Sequence, residues 1–479
     1  MENKFLMKNF GIAFLFLTSI FSYDKSFAQV LDSALANDFS VCIRHIVIEG
    51  NVKTKPQVIL RELLFAENDS IQFKNLNQNL SESKLNIINT GLFYSVVFNL
   101  KNWEGKNIDL YITVEEKWYT YPIPTIDIFD RNFNSWYVEH NHDWKRLQYG
   151  IRFLQQNLRG RDENLRVNIL FGFVQKFEAA YEIPFIDRKQ SFGLQVKVSY
   201  IRSKIVAFET RNNIEQFYFD ADDFVRKSLV IQSDFTLKPG FHDKNIFTAG
   251  YVHSTVEDTI PKLNPVFFLN EKKDQQYFAL GYSFIRDNRD IKGFPLHGSY
   301  FEANILKMGI LPDDNINMFS IQATYSKYFS LGKNFYLSIR NKLKFSLPEK
   351  QPYFTQKGFG YKTDYVSGYE YYVVDGQSFW LGKLNLRYRL FKIELNNSEV
   401  HSPLRASKLP FALYIKTQVD AGYVKDDFYF QNNSLNNSLL IGGGPAIDIV
   451  IFYDINFSFE YSINRLGESG LFLHLSTFF

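Results

Sequence analysis

Three short clusters carry residue types able to do chemistry. His140 and His142 of "HNHD" could offer two imidazoles to a transition metal, but alternate positions in a polar, aromatic-rich loop are more often coincidence, and no metal site is expected. Glu115, Glu116 and Lys117 read as the charged end of a strand rather than a general acid-base pair. Gly442, Gly443 and Gly444 lack the lysine and the serine or threonine of a phosphate loop, and in a strand such a run marks a place where backbone bends or packs closely. A Gly-x-Ser-x-Gly elbow is absent from the sequence. The residues therefore predict neither enzyme nor cofactor. Cys42 is the single cysteine, so no disulfide can form within the chain. It lies well beyond the N-terminal apolar run and is read as an ordinary thiol rather than a lipid anchor.

With chemistry set aside, the elements themselves become informative. The chain has 479 residues, more than one ordinary domain needs. A net charge of +3 and slightly negative mean hydropathy point neither to a nucleic-acid binder nor to a helical membrane protein. The anomaly is aromatic content: 49 Phe, 29 Tyr and 5 Trp make 17% of the chain. Such an excess suits strands and membrane-water interfaces. Lys4 and Lys8, the apolar run from Phe10 to Phe21 and "SFA" ending at Ala28 predict a secretory signal over residues 1–28, since the run is too short to span a bilayer.

After a short linker at 29–42, residues 43–117 predict a small α/β domain in the order β-α-α-β-β. "IRHIVIEGNV" reads as a strand. "KPQVILRELLF" reads as a helix, and "LNQNLSESKLNIINTGLF" as a second helix with Leu76, Leu80, Leu85 and Ile88 as its stripe. "YSVVFNLKN" and "NIDLYITVEEK" follow as strands joined by a "WEGK" turn.

From residue 118 onward the pattern alternates. "NFYLSIRNKLKFSL" sets Phe335, Leu337, Ile339, Leu343, Phe345 and Leu347 against Tyr336, Ser338, Arg340, Lys342, Lys344 and Ser346. "ALYIKTQVDAGYV" and "INFSFEYSI" likewise have one fatty face and one wet face. At roughly 22 residues per strand and loop, residues 118–479 predict about 16 strands, an allowed even count for an outer-membrane barrel. In hydrocarbon every backbone donor and acceptor must be paired, and a closed barrel does this without an edge. The last strand is thus expected to pair with the first, with Leu471, Leu473, Leu475 and Phe479 toward lipid.

The whole pattern resembles the BamA/TamA family of outer-membrane assembly proteins, of the bacterial surface antigen type: a POTRA domain followed by a 16-stranded antiparallel transmembrane β-barrel. The stretches that carry the resemblance are "NLRG" at 157–160, "YEIPF" at 181–185, "RDNRDIKGFPLHGSYF" at 286–301, "VSGYE" at 366–370, "VDAGY" at 419–423 and "IGGGPAIDI" at 441–449. The 286–301 stretch supplies Asp287, Arg289, Asp290, Pro295 and Gly298 as family-like positions. The family folds one loop inward, carrying an Arg-Gly-Phe/Tyr tripeptide whose arginine lies near acidic groups of the wall. Here Gly368 and Tyr369 match, but Ser367 stands at the arginine position. With Asp420 and Gly422 of "VDAGY" as the wall partners, Asp420 would need water or another base, such as Arg387 or Arg389.

The resemblance implies a protein that receives unfolded outer-membrane or secreted clients in the periplasm and inserts or moves them through a barrel seam or lumen. It implies outer-membrane lipids and possible accessory lipoproteins as partners, a Gram-negative outer-membrane location, and no nucleic acid. A secretion pore with a charged lumen (Arg340, Lys342, Lys344, Glu460) is the alternative, and a soluble adhesin the third. Room for only one POTRA module suggests a narrower role than general barrel assembly.

Overall fold

The computed structural model describes residues 39–479 apart from 130, 132, 188–190, 396–408, 429, 452–454 and 478–479. The expected signal and most of the linker lie outside the described residues. The first unit runs β1 (Ser40–Glu49), α1 (Pro56–Leu60), β2 (Ser70–Gln72), α2 (Phe73–Asn89), β3 (Phe93–Glu104) and β4 (Asn107–Glu116). Its sheet order is β2-β1-β4-β3, with β1 parallel to β4. The expected β-α-α-β-β order is corrected by a short strand between the helices. Pro56 starts α1 at a position that needs no amide partner, but the helix stops at five residues. Leu63 and Phe65 then reach the core from the turn that follows.

The stripe of α2 also differs from expectation. Leu76, Ser83 and Ile87 are buried and Leu80 packs beside them, whereas Leu85 and Ile88 are exposed. Steps of four, three and four residues keep one helical face, and a step of five from Leu80 to Leu85 leaves it. Ile43, Ile59, Ile87, Ile108, Leu110 and Ile112, all fully buried, form the centre of this unit. On its surface Arg44 donates to both carboxylate oxygens of Asp109, at 2.9 and 3.0 Å. Glu116 accepts the amides of Lys53 and Thr54, so "EEK" pins a turn.

The second unit is a 16-stranded sheet, antiparallel throughout. Its strands begin β5 (Thr120–Ile128), β6 (Leu147–Leu158), β7 (Glu163–Phe171), β8 (Val174–Ile183) and β9 (Phe192–Ser203). A separate hairpin, β10 (Ile205–Arg211) and β11 (Ile214–Phe219), stands outside the sheet. The sheet resumes with β12 (Arg226–Leu237), β13 (Asp243–Val256), α3 (Thr259–Leu263) in a loop, β14 (Asp274–Asp287), β15 (Gly298–Met308), β16 (Met318–Gly332) and β17 (Phe335–Leu347). It ends with β18 (Ser378–Leu395), β19 (Leu409–Lys425), β20 (Leu439–Ile451), β21 (Ile455–Asn464) and β22 (Ser469–Thr477). Each strand of the sheet pairs with its predecessor in the sheet, from β5 to β22.

The polarity is inverted relative to a water-soluble sheet. On β19, Ile415 and Val419 are 46% and 56% exposed, while Lys416 and Asp420, each the next residue along, are 5% and 1% exposed. On β21, Ser458, Glu460, Ser462 and Asn464 are buried while Phe459, Tyr461 and Ile463 are exposed. A sheet that hides its charges and presents its hydrocarbon requires a fatty solvent. Strand lengths are uneven: β5 and β22 have 9 residues each, and β18 has 18.

Candidate functional site

The loop joining β17 to β18, residues 348–377, folds onto the inner wall and carries "VSGYE". Val366, Ser367, Gly368, Tyr369 and Glu370 are all buried. The Ser367 hydroxyl and amide both donate to Asp420 Oδ2, at 2.6 and 3.1 Å. Lys383 Nζ donates to the same oxygen at 3.0 Å and lies 3.6 Å from the centre of the Tyr365 ring. Ser367 therefore takes a neutral contact with Asp420, and a lysine from the neighbouring strand brings the positive charge.

This corrects the expectation for Asp420, which is served by neither Arg387 nor Arg389. Arg387 donates to Asp448 Oδ2 at 3.0 Å and Arg389 to Asn334 at 2.6 Å. Lys383 sits directly across from Asp420 in the ladder, whereas Arg387 stands four residues, about 13 Å, further along β18. Alternation could have found it, because Lys383 shares the inward phase with Asn385, Arg387 and Arg389.

Two glycines let the loop approach the wall. A Cβ on Gly442 would lie 1.8 Å from the Ser367 carbonyl oxygen, and one on Gly422 would lie 2.5 Å from the Phe359 ring. The triple-glycine run thus serves close packing. Asn464 Nδ2 donates to the Gly368 carbonyl at 2.8 Å, and Gln418 Nε2 donates to Ser367 Oγ at 3.0 Å. Further lumenal cations also meet the loop: Lys342 bonds Asp364 at 2.6 Å and Lys344 the Lys357 carbonyl at 2.8 Å. Beneath them Lys416 bridges Glu460 at 2.7 Å and Asp448 at 3.4 Å. Hairpin β10–β11 caps this end, with Thr210 donating to Asp375 at 2.6 Å and Asn213 to the Val373 carbonyl at 3.1 Å.

The last strand reaches the loop from its own side. His474 stacks on Tyr365 at 4.6 Å and brings Nε2 to 3.5 Å from Glu370 and 3.6 Å from Glu460. These three residues are the group among the described residues whose donor atoms could share a metal ion. Lys416 already neutralises Glu460 there. His140 and His142 do not converge: His142 stacks on Tyr137 and His140 faces Phe217. Phe472 turns inward beside Tyr371, while Leu471 and Leu475 are exposed and Leu473 is half-buried. Phe479 lies outside the described residues.

Among the described residues no ladder joins β22 to β5. Instead the Leu473 amide donates to Asn134 Oδ1 at 3.4 Å, in the segment that follows β5. Residues 135–139 form a short helical turn there, with Trp136 buried and Tyr137 exposed.

At the opposite end, family-like stretches meet the first unit. Asn157, fully buried, donates to Thr54 Oγ1 at 2.8 Å, and Arg61 pairs with Asp162 at 2.5 Å. Gly160, at φ +71°, is so close to the Lys53 carbonyl oxygen that a Cβ would fall 2.1 Å from it. Arg61 also lies over the Phe185 ring at 4.2 Å. "NLRG" and "YEIPF" therefore build the seat of the small domain.

Asp287, Arg289, Asp290, Pro295 and Gly298 belong to the β14–β15 turn and to its junctions with the two strands. Arg289 holds Asp287 through two hydrogen bonds of 2.8 and 2.7 Å, Asp290 accepts the Leu296 amide, and Gly298 has φ +104°. The turn carries Phe294 into the lumen against Ala412, Tyr414 and Val450.

A sheet of this kind, hydrocarbon outside and filled by an inward loop, preceded by a small α/β unit seated at one end, defines an outer-membrane β-barrel with a POTRA module. Residues 157–404 match the Omp85 superfamily domain, and residues 41–117 match the POTRA surface antigen variable number repeat. The chain belongs to the Omp85 superfamily, which includes the BamA/TamA proteins. It is 37% identical over 75 residues to the outer membrane protein assembly factor BamA of Neorickettsia risticii, a match covering 16% of this chain and 10% of that protein. Two solved structures share the fold. BamA from Haemophilus ducreyi lacking POTRA domains 1–3 has a TM-score of 0.52 at 14% identity, covering 91% of this chain and 85% of that one. CdiB from Escherichia coli has a TM-score of 0.52 at 11% identity, covering 91% and 75%.

Proposed function

We propose that this chain is an assembly or translocation factor in the outer membrane of a Gram-negative bacterium, its POTRA domain in the periplasm, acting without cofactor or nucleotide. The observation that carries the reading is the seam. The end strands β5 and β22 have 9 residues each, as few as any strand of the sheet, and among the described residues no ladder joins them, the Leu473 amide instead meeting Asn134 in the segment after β5. A strand edge so held can be taken over by main-chain hydrogen bonds from an incoming client strand. Short strands beside the seam also favour local thinning of the bilayer, which lowers the barrier to insertion. Strand β3, at the end of the POTRA sheet, offers unfolded clients a second edge, and accessory lipoproteins would dock on the same domain.

A secretion pore of the same architecture is the competing reading. It is disfavoured by the lumen, where Lys342 and Lys344 are engaged by the inward loop instead of lining open water. Depleting the protein and quantifying other outer-membrane barrels separates the two. A broad or selective fall in folded barrels is expected. Unchanged barrel levels with one secreted product missing would favour the pore.

A further inference from the structure

Arg131 lies between β5 and the helical turn at 135–139, far in sequence from the inward loop, yet its side chain is only 9% exposed. Its Nη2 donates to the Tyr371 carbonyl at 3.0 Å, and its Nη1 to those of Tyr372 and Glu370 at 3.3 and 3.4 Å. Its Nε meets Glu215 of the capping hairpin at 3.1 Å. Three carbonyl oxygens converging at a loop tip concentrate partial negative charge, and a forked guanidinium answers several of them at once, which a single ammonium cannot. Glu215 offsets the charge that burial would otherwise penalise.

The same loop tip is held from the other side of the seam. Glu370 faces His474 and Tyr371 packs on Phe472, both on β22, and Tyr372 donates its hydroxyl to Glu468 at 2.7 Å. Three residues beyond Arg131, Asn134 accepts the Leu473 amide of β22. We propose that Arg131 is the positioning residue of the inward loop, supplied across the seam from the first-strand side, and that Arg131 and Asn134 strap the loop tip and the edge of β22 together. A strand entering the seam then displaces both, so seam opening and loop release are one event. This deepens the proposed function and rests on it for the entering strand; the strap itself does not.

The test uses the full-length protein in detergent with no client present. Trypsin cleavage after the exposed Lys362 of the loop reports its release, and heat-modifiable gel mobility reports the folded barrel. Arg131→Gln is expected to speed this cleavage roughly tenfold, as loss of charge-assisted hydrogen bonds implies, with mobility retained. Glu215→Gln, which takes away the counter-charge but leaves the guanidinium fork on the loop carbonyls, should speed cleavage less than Arg131→Gln does. Arg131→Lys, which keeps charge but not the fork, should fall between parent and Arg131→Gln. It also serves as the comparison if Arg131→Gln fails to fold. Unchanged cleavage in every Arg131 variant that folds, or an equal gain in Glu215→Gln, would overturn the strap. Because no client is present, either outcome leaves the assembly reading to its own test.

Discussion

Lys383 and Ser367 share between them the contact with Asp420. The buried Asp420 carboxylate receives a charge from the wall and two hydrogen bonds from the loop, so loop and wall each need the other. Introducing a guanidinium by Ser367→Arg would set two cations against one carboxylate in a filled space. The single change should destabilise the barrel by about 1–3 kcal/mol, seen as a lower temperature for loss of heat-modifiable mobility. Combined with Lys383→Ala, which vacates the site, it should recover, with a coupling of about 0.5–3 kcal/mol in the double-mutant cycle. Additive losses would show that the two residues do not share a role. At this scale the sequence was only partly legible. Ser367, Asp420 and Gly422 were visible through their motifs and Lys383 through its phase on β18. Arg131 had no signal, because it sits in a non-periodic segment whose partners are backbone carbonyls more than 230 positions away.

Strands were the most readable elements, since a period of two on a sheet with lipid on one side is nearly all that such a strand must encode. The small domain was less so. Its first helix is stopped short, and its second buries Ser83 and Ile87 in place of Leu85 and Ile88, because apolar type alone does not fix the angle around a helix. The "NLRG" stretch was legible as a motif but not as a joint. Asn157→Ala would leave the buried Thr54 hydroxyl short of a donor, and should weaken the seating of the POTRA unit by about 1–3 kcal/mol. Faster amide exchange at residues 53–61, with the barrel unchanged, would report it. The small domain also carries a pH dependence. The Arg44 guanidinium, with Asn102, holds the Asp109 carboxyl down at about 2. A carboxyl lowered below its unfolded value, about 3.9, contributes stability that is whole above that value and is lost as pH falls toward about 2. Exchange protection of β1 and β4 should therefore hold from neutral pH down to about 4 and decline below it, and Asp109→Asn should flatten that decline. Equal acid sensitivity in the variant would count against the pair.

Taken whole, the molecule is a sheet whose charges are inside, whose hydrocarbon is outside, and whose lumen is occupied by one of its own loops. The inversion follows from the solvent, and it was readable in advance. How the two ends of the sheet meet was not, because pairing between first and last strands depends on a register that neither strand encodes alone. Among the described residues the two ends of the sheet are joined by Asn134 on Leu473 and by the loop tip that both sides of the seam grip. Leu473 thus lies beside the segment after β5. A seam lock therefore belongs between positions 134 and 473. The most direct measurement is client assembly in membranes carrying the protein as Cys42→Ser with Asn134→Cys and Leu473→Cys, before and after bridging with a short bifunctional thiol reagent. Bridging is expected to stop the folding of other barrels while each single-cysteine control, treated alike, continues. Undiminished assembly by the fully bridged protein would contradict the seam mechanism.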